Sequence, residues 1–152
     1  MNVRESLGND HKAIEHRLDE LSNAVEGANW VTILEVFREV DRGLRAHIDG
    51  EERYLFPHFE ASHPETIEEL RAEHGHARKA LDELMIQTEL HTLRKEPIDE
   101  LLGQLRAHAA KENRTLYAWA DARPLGEPRD GLFEFLKERR MALRVDQPEE
   151  SK

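Results

Sequence analysis

The chain has 152 residues, enough for one domain, and its 22 Lys+Arg against 32 Asp+Glu give a formal net charge of −10, which disfavours binding to phosphate backbones or anionic lipid. Cysteine is absent, which excludes disulfides, thiolate zinc sites, iron–sulfur clusters and cysteine nucleophiles. Charged residues reach 36% against about a quarter in an average globular protein, glycine and proline are scarce, and no apolar run approaches the ~20 residues of a membrane span.

Helical periodicity begins almost at once. Leu7, His11, Ile14, Leu18, Leu21 and Val25 step by four and three, which predicts a first helix from about Asn2 to Glu26. The start, MNVRESLGNDH, lacks the apolar stretch of a signal peptide, so a cytoplasmic address is expected. Gly27-Ala28-Asn29 breaks the pattern. A second run, Phe37, Val40, Leu44, His47, Glu51 and Tyr54, predicts a helix that Pro57 bends or ends near Phe59. Pro64 suits the first turn of a third helix carrying Ile67, Leu70, His74, Ala77, Leu81, Leu84, Thr88 and His91. Pro97 opens the fourth in the same way, with Ile98, Leu101, Leu105, His108, Glu112, Thr115 and Trp119 along one continuous face. Pro124 to Pro128 reads as a linker, and Leu132, Phe133, Phe135, Leu136 and Leu143 as a short amphipathic helix lying on the bundle. Asp146 to Lys152 has the composition of a disordered tail. The expected fold is all-α: an up-down-up-down four-helix bundle over residues 1–123, then linker, short C-terminal helix and tail over 124–152.

Each seam is interrupted by a histidine (His11, His47, His74 or His108), and two carry a carboxylate one turn later, Glu51 and Glu112. Residues four apart share a helix face. A bare glutamate in an apolar core must be paired, hydrogen-bonded or neutralised, and no Lys or Arg holds an equivalent seam position. Counted back from the turns near Gly27, Ser62 and Arg94, the six groups agree to within about six residues, under ~10 Å at ~1.5 Å rise per residue. Four imidazoles and two carboxylates therefore converge on one layer, where a metal would satisfy all of them. Six nitrogen and oxygen donors exceed the four of a tetrahedral zinc. Two opposed carboxylates can bridge a pair of ions with imidazoles as terminal ligands, which favours two first-row metals, iron before manganese.

The other polar candidates carry plainer readings. Glu15 and Glu52 flank the seam as helix-surface residues that could also reach a metal, and Asp10 could orient His11 from behind or equally lie on the helix surface. His16, His58, His63, His76 and His91 read as solvated or helix-end residues. Glu60/His63 and Glu73/His76 match the ExxH spacing of ferritin-like sites, but the first pair straddles a helix break and the second misses the seam. Trp30, Trp119 and Tyr117 read as packing; Tyr54 and Tyr117, each near an HxxxE, could instead be redox-active or hydrogen-bonded to a ligand.

These residues resemble a known pattern. HIDGEERYLFP (His47 to Pro57) resembles the HxxxEE…LFP signature of hemerythrin-like (HHE) cation-binding domains, and HAAKENRTLY (His108 to Tyr117) is a second copy, with Ala118 where the family often has proline. DHKAI (Asp10 to Ile14) resembles the first-helix element and Glu73-His74 the third-helix element, so the likeness runs from about Asn9 to Trp119. It implies a non-haem di-iron site with His11, His47, His74 and His108 as terminal ligands and Glu51 and Glu112 as bridges. Family members bind dioxygen, sense oxygen or iron, or respond to nitric oxide and oxidative stress. Two departures argue against a reversible oxygen carrier. Arg78 stands where oxygen-carrying members have a further histidine, so water or Glu15 would have to fill in, and the last helix has His108 and Glu112 where carriers space histidine and aspartate by five. The absence of cysteine also removes the N-terminal Cys pair of the iron–sulfur repair branch. The expected function is binding of O2, NO or peroxide for sensing, scavenging or redox response. Turnover of peroxide or nitrite, and a metal-free acidic module that docks a partner through its tail helix, stand as alternatives. Neither nucleic acid nor membrane is expected as a partner.

Overall fold

The computed structural model describes residues 2–123 and 125–145, with side chains described as far as residue 139. The helices are α1 (Val3–Glu26), α2 (Trp30–Tyr54), α3 (Pro64–Glu89), α4 (Lys95–Arg114), α5 (Leu116–Ala122) and α6 (Glu127–Val145), and a 3₁₀ turn covers Phe56–His58. No strand occurs among the described residues. The first four helices close a ring, α1 against α2 and α4, α3 against α2 and α4, so the short turns make an all-α up-down-up-down bundle.

Local chemistry sets the helix ends. The Asn2 and Asn29 side chains accept from Glu5 N–H at 2.8 Å and Thr32 N–H at 3.3 Å, capping α1 and α2. The Asp121 carboxylate on α5 accepts from Val3 N–H at 2.8 Å and Arg4 N–H at 3.1 Å. It thereby places an anion at the positive end of α1 and ties α5 to the bundle. The α1–α2 turn is strained in an unexpected place: Ala28, not Gly27, holds the left-handed conformation, with φ +52°. His91 also has φ +56°, which stops α3 before the expected end, and its ring stacks on Trp30 at 4.6 Å.

Apolar residues form two clusters. One holds Leu18, Leu21, Phe37, Leu44, Leu81 and Leu101; the other holds Leu7, Phe56, Leu70, Leu116 and Tyr117 with Leu132 and Leu136 of α6. The sequence positions of His11, His47, Glu51, His74, His108 and Glu112 fall between the two on every helix, so the bundle is two apolar halves separated by one polar layer. Helix α6 begins at Glu127, with Pro128 in its first turn where the missing N–H costs nothing, so the linker is shorter than Pro124–Pro128. Two glycines let α6 settle on α2. A Cβ on Gly50 would stand 3.0 Å from Leu132, and one on Gly131 would stand 2.8 Å from the Tyr54 ring. The expected tail, Asp146 to Lys152, and the side chain of Leu143 lie outside the described residues.

The fourth helix departs from the expected continuous run. It breaks at Thr115, whose backbone turns to φ −118°, ψ −91°. The Thr115 hydroxyl donates to Lys111 C=O at 2.7 Å, and its N–H is shared between Lys111 C=O at 3.1 Å and Glu112 C=O at 3.3 Å. A threonine bonding back onto the preceding turn competes with the regular helical pattern. Helix α5 resumes on a new axis.

Candidate metal centre

The polar layer lies where the HxxxE turns of α2 and α4 face each other, with α1 and α3 each adding one imidazole. Glu51 and Glu112 are fully buried, and His47, His74 and His108 nearly so. His47 Nε2 lies 3.2 Å from Glu51 Oε1, and His74 Nε2 lies 3.4 Å from the same oxygen. His11 Nε2 is 3.2 Å and His108 Nε2 3.1 Å from Glu112 Oε1, while His74 Nε2 is 3.6 Å from Glu112 Oε2. The donors fall into two groups of four, His11, His47, Glu51 and Glu112, and Glu51, His74, His108 and Glu112, the atoms of each lying within 4.8 Å of one another. Both carboxylates belong to both groups.

Around this layer the imidazoles are held from behind. His74 Nδ1 lies 2.8 Å from Glu52 Oε2, and His108 Nδ1 lies 2.7 Å from Glu73 Oε1. Those carboxylates are gripped in turn. Arg78 donates to both Glu52 oxygens at 2.9 Å and to Asp49 at 2.7 Å, and Lys111 donates to Glu73. Carboxylates behind metal-binding imidazoles are a recurrent arrangement that fixes the tautomer and aims the free nitrogen inward. Asp10, read as a group behind His11 or as a helix-surface residue, approaches His47, its Oδ2 3.6 Å from Nδ1. Helix α1 packs beside α2, so Asp10 meets the neighbouring helix rather than its own chain neighbour. Phe56 stacks on His74 with ring centroids 5.0 Å apart.

Charges are poised for a cation. Burial pulls the His47 imidazole down, but Glu51, Asp10 and Glu112 outweigh it and hold it up at about 10. Burial likewise opposes His74, yet Glu112, Glu51 and Glu52 raise it to about 11. His108 is also raised, against burial, by Glu112 and Glu51. Glu52, despite partial burial, is held down at about 2 by His74 and Arg78. Glu112 is lowered well below its ordinary range, its hydrogen bonds and the His108 charge overcoming burial. Even so, Glu51 Oε1 and Oε2, Glu112 Oε2, His74 Nε2 and His108 Nε2 are buried without a hydrogen-bond partner. Buried polar atoms are rarely left so, and these converge on one point. An oxygen-and-nitrogen-binding metal fits this donor set.

Tyr117 joins the layer, the less favoured of its two sequence readings. Its hydroxyl lies 3.0 Å from Glu112 Oε1, 3.1 Å from His11 Nε2 and 3.2 Å from His47 Nε2. In an unbroken helix a residue five beyond Glu112 would be turned about 140° away from it; the break at Thr115 brings Tyr117 back. Burial and the neighbouring Glu112 and Glu51 charges push its phenol well above the ordinary range.

The remaining candidates lie outside the layer. Glu15 Oε1 is 3.7 Å from Arg106, His16 pairs with Glu20 at 2.9 Å, and Glu60 pairs with Arg71. His63 stacks on Trp119 at 3.6 Å, and Tyr54 packs on Phe135 of α6. Neither ExxH pair forms part of a donor group among the described residues. A cavity of about 440 Å³ adjoins the centre, lined by all four imidazoles with Ile14, Leu44, Ile48, Leu101 and Leu105, and edged by Glu15, His76, Gln104 and Arg114. No described helix is long and apolar enough to cross a membrane.

A family model described as the hemerythrin HHE cation binding domain matches residues 2–120. No curated protein and no solved structure gives a significant match.

Proposed function

The chain belongs to the hemerythrin HHE cation-binding family, and on that premise we propose that it holds a carboxylate-bridged, non-haem di-iron pair that binds O2, NO or peroxide. His11 and His47 would serve one ion, His74 and His108 the other, and Glu51 and Glu112 both. The observation that carries this reading is the sharing itself: two four-donor groups with the same two carboxylates in common. The nitrogen and oxygen donors would also suit manganese.

Iron held there supplies a reversible ferrous–ferric change and affinity for small diatomic ligands. The protein's own part is positional. Arg78 through Glu52, and Lys111 through Glu73, lock the rings of His74 and His108 so that Nδ1 donates outward and Nε2 faces the layer. Ile14, Leu44, Ile48 and Leu101 give the approach an apolar wall, which offers water few partners and suits a weakly polar ligand. Arg78 turns outward to Glu52 and Asp49, so α3 supplies one imidazole rather than two. That supports sensing, scavenging or redox response over reversible oxygen transport. A second reading, turnover of peroxide or a small oxyanion such as nitrite, is favoured by the cavity, about 440 Å³ against the ~30 Å³ that one water occupies in the liquid.

An anaerobic Fe(II) titration of metal-free protein tests the first reading, with two tight sites per chain expected and a changed optical spectrum on adding O2 or NO. One site or none would overturn the paired centre. Steady-state consumption of peroxide or nitrite with a reductant, lost in His74→Ala, would establish the second.

A further inference from the structure

Tyr117 reaches the layer from α5, outside both HxxxE turns, and its fully buried hydroxyl touches three of the donor atoms at once. A phenol donates one O–H and accepts through its oxygen, so without a metal the contacts of 3.0–3.2 Å are met by donation to Glu112 and acceptance from His11 and His47. The distances have another meaning. Donors at right angles about an ion, each ~2.1 Å from it, stand ~3.0 Å from one another. The Tyr117 oxygen, His11 Nε2 and Glu112 Oε1 form a triangle with edges of 3.1, 3.0 and 3.2 Å, the dimensions of one octahedral face. His47 Nε2 stands 3.2 Å from the same oxygen.

We propose that Tyr117 is a fifth protein donor to the metal held by His11, His47, Glu51 and Glu112, binding through its phenolate oxygen. The inference rests on the metal-centre reading above. As the metal–oxygen bond forms the phenolic proton leaves to solvent, and no oxidant or reductant is required. The two positions are then unequal. The α1–α2 side has five protein donors, whereas the group with His74 and His108 has four and no phenol, so an external ligand arriving through the cavity goes to that second position. Tyr117 is not among the residues that line the cavity, as expected of a group that closes the opposite side.

The chain has two tyrosines, and the ring of Tyr54 lies against Gly131 and Phe135 of α6, so a phenolate signal is assignable. The protein is loaded anaerobically with Fe(II), oxidised with ferricyanide, and examined by visible absorption and resonance Raman. A phenolate-to-Fe(III) band with tyrosinate ring modes is expected in the wild type and in Tyr54→Phe. In Tyr117→Phe the band is lost and one iron is held ~10–100-fold more weakly. Should Tyr117→Phe not fold, the band in Tyr54→Phe decides the matter, since Tyr117 is then the only phenol left. Two irons per chain without tyrosinate modes would overturn this inference and leave the paired centre standing. No iron uptake by the wild type would overturn both.

Discussion

Glu112→Gln separates a shared carboxylate from one that merely neighbours a metal. The substitution keeps volume and shape but replaces an anion that contacts His11, His108 and Tyr117 at 3.0–3.2 Å with an amide that cannot bridge two cations. Because Glu112 belongs to both donor groups, the loss should fall on both ions; His11 belongs to one, so His11→Ala should cost one. At a free metal concentration 100 times Kd, each bound ion stabilises the folded chain by ~2.7 kcal/mol. For a chain of this size that is ~5–11 °C per ion, or ~11–22 °C for the pair. Anaerobic thermal melts of each protein, with Fe(II) and with excess chelator, measure the shift within one variant, so any change in its metal-free stability cancels. The wild type should show the full shift, His11→Ala about half, and Glu112→Gln almost none, with metal contents of two, one and none. Two metals and a wild-type shift in Glu112→Gln would refute the bridging role.

Metal-free protein should be most stable between about pH 4.5 and 6.5. His47 and His74, raised to about 10 and about 11 from an unfolded value of 6.5, contribute stability that is complete below 6.5 and lost as pH rises through their folded values. Glu112, lowered well below 4.5, contributes stability present above 4.5 and lost on acidification; melts across pH with chelator present check both limbs. Glu52→Ala should weaken metal binding ~10–100-fold through the freed His74 ring, read by competition with a calibrated chelator, and should also lower the metal-free melt, because Glu52 helps raise His74 and is itself held down at about 2. Asp121→Ala removes the acceptor for two α1 amides and should lower stability by ~1 kcal/mol, seen in urea unfolding. Ala28→Gly should raise it by ~1 kcal/mol by relieving a left-handed alanine.

The four helices were legible because apolar residues recur at helical spacing between turns that glycine, asparagine and proline make cheap. The six convergent donors were legible for a related reason: a histidine or glutamate at a core position is conspicuous, since nothing else in an apolar seam explains it. What lay around them was not. Glu52 and Glu73 flank the seam as an ordinary surface glutamate does, and their partners, His74 and His108, sit on other helices, where one chain's spacing says nothing of contact. Arg78 looked like a missing ligand, but it is the clamp on Glu52, a role that needs both α2 and α3 in place. The approach of Asp10 to His47 was hidden for the same reason. Tyr117 was hidden by the backbone. Thr115 continues the helical pattern in sequence, and only the break in its backbone, at φ −118° and ψ −91°, brings the next residues round onto the centre.

The layer also bears on why this bundle is not uniformly apolar. Without a cation it brings two buried carboxylates within 3.6 Å of four imidazoles and leaves several of their inward atoms unpartnered, an arrangement that buried ion pairs seldom repay in stability. Well-packed leucines at the same six positions would join the two apolar clusters into one and serve the fold better. The outer carboxylates sharpen the argument. Glu52 and Glu73 hold rings whose inner nitrogens face only the two buried carboxylates, so their hold adds no partner inside the layer. Such orientation has a physical consequence only if something occupies the space toward which Nε2 points. The cost falls on a bundle that is well tied on one side of the layer. The Asp121 cap, the Gly50 and Gly131 contacts with α6, and the Phe56 ring against His74 all bear on the half of the bundle beside the layer.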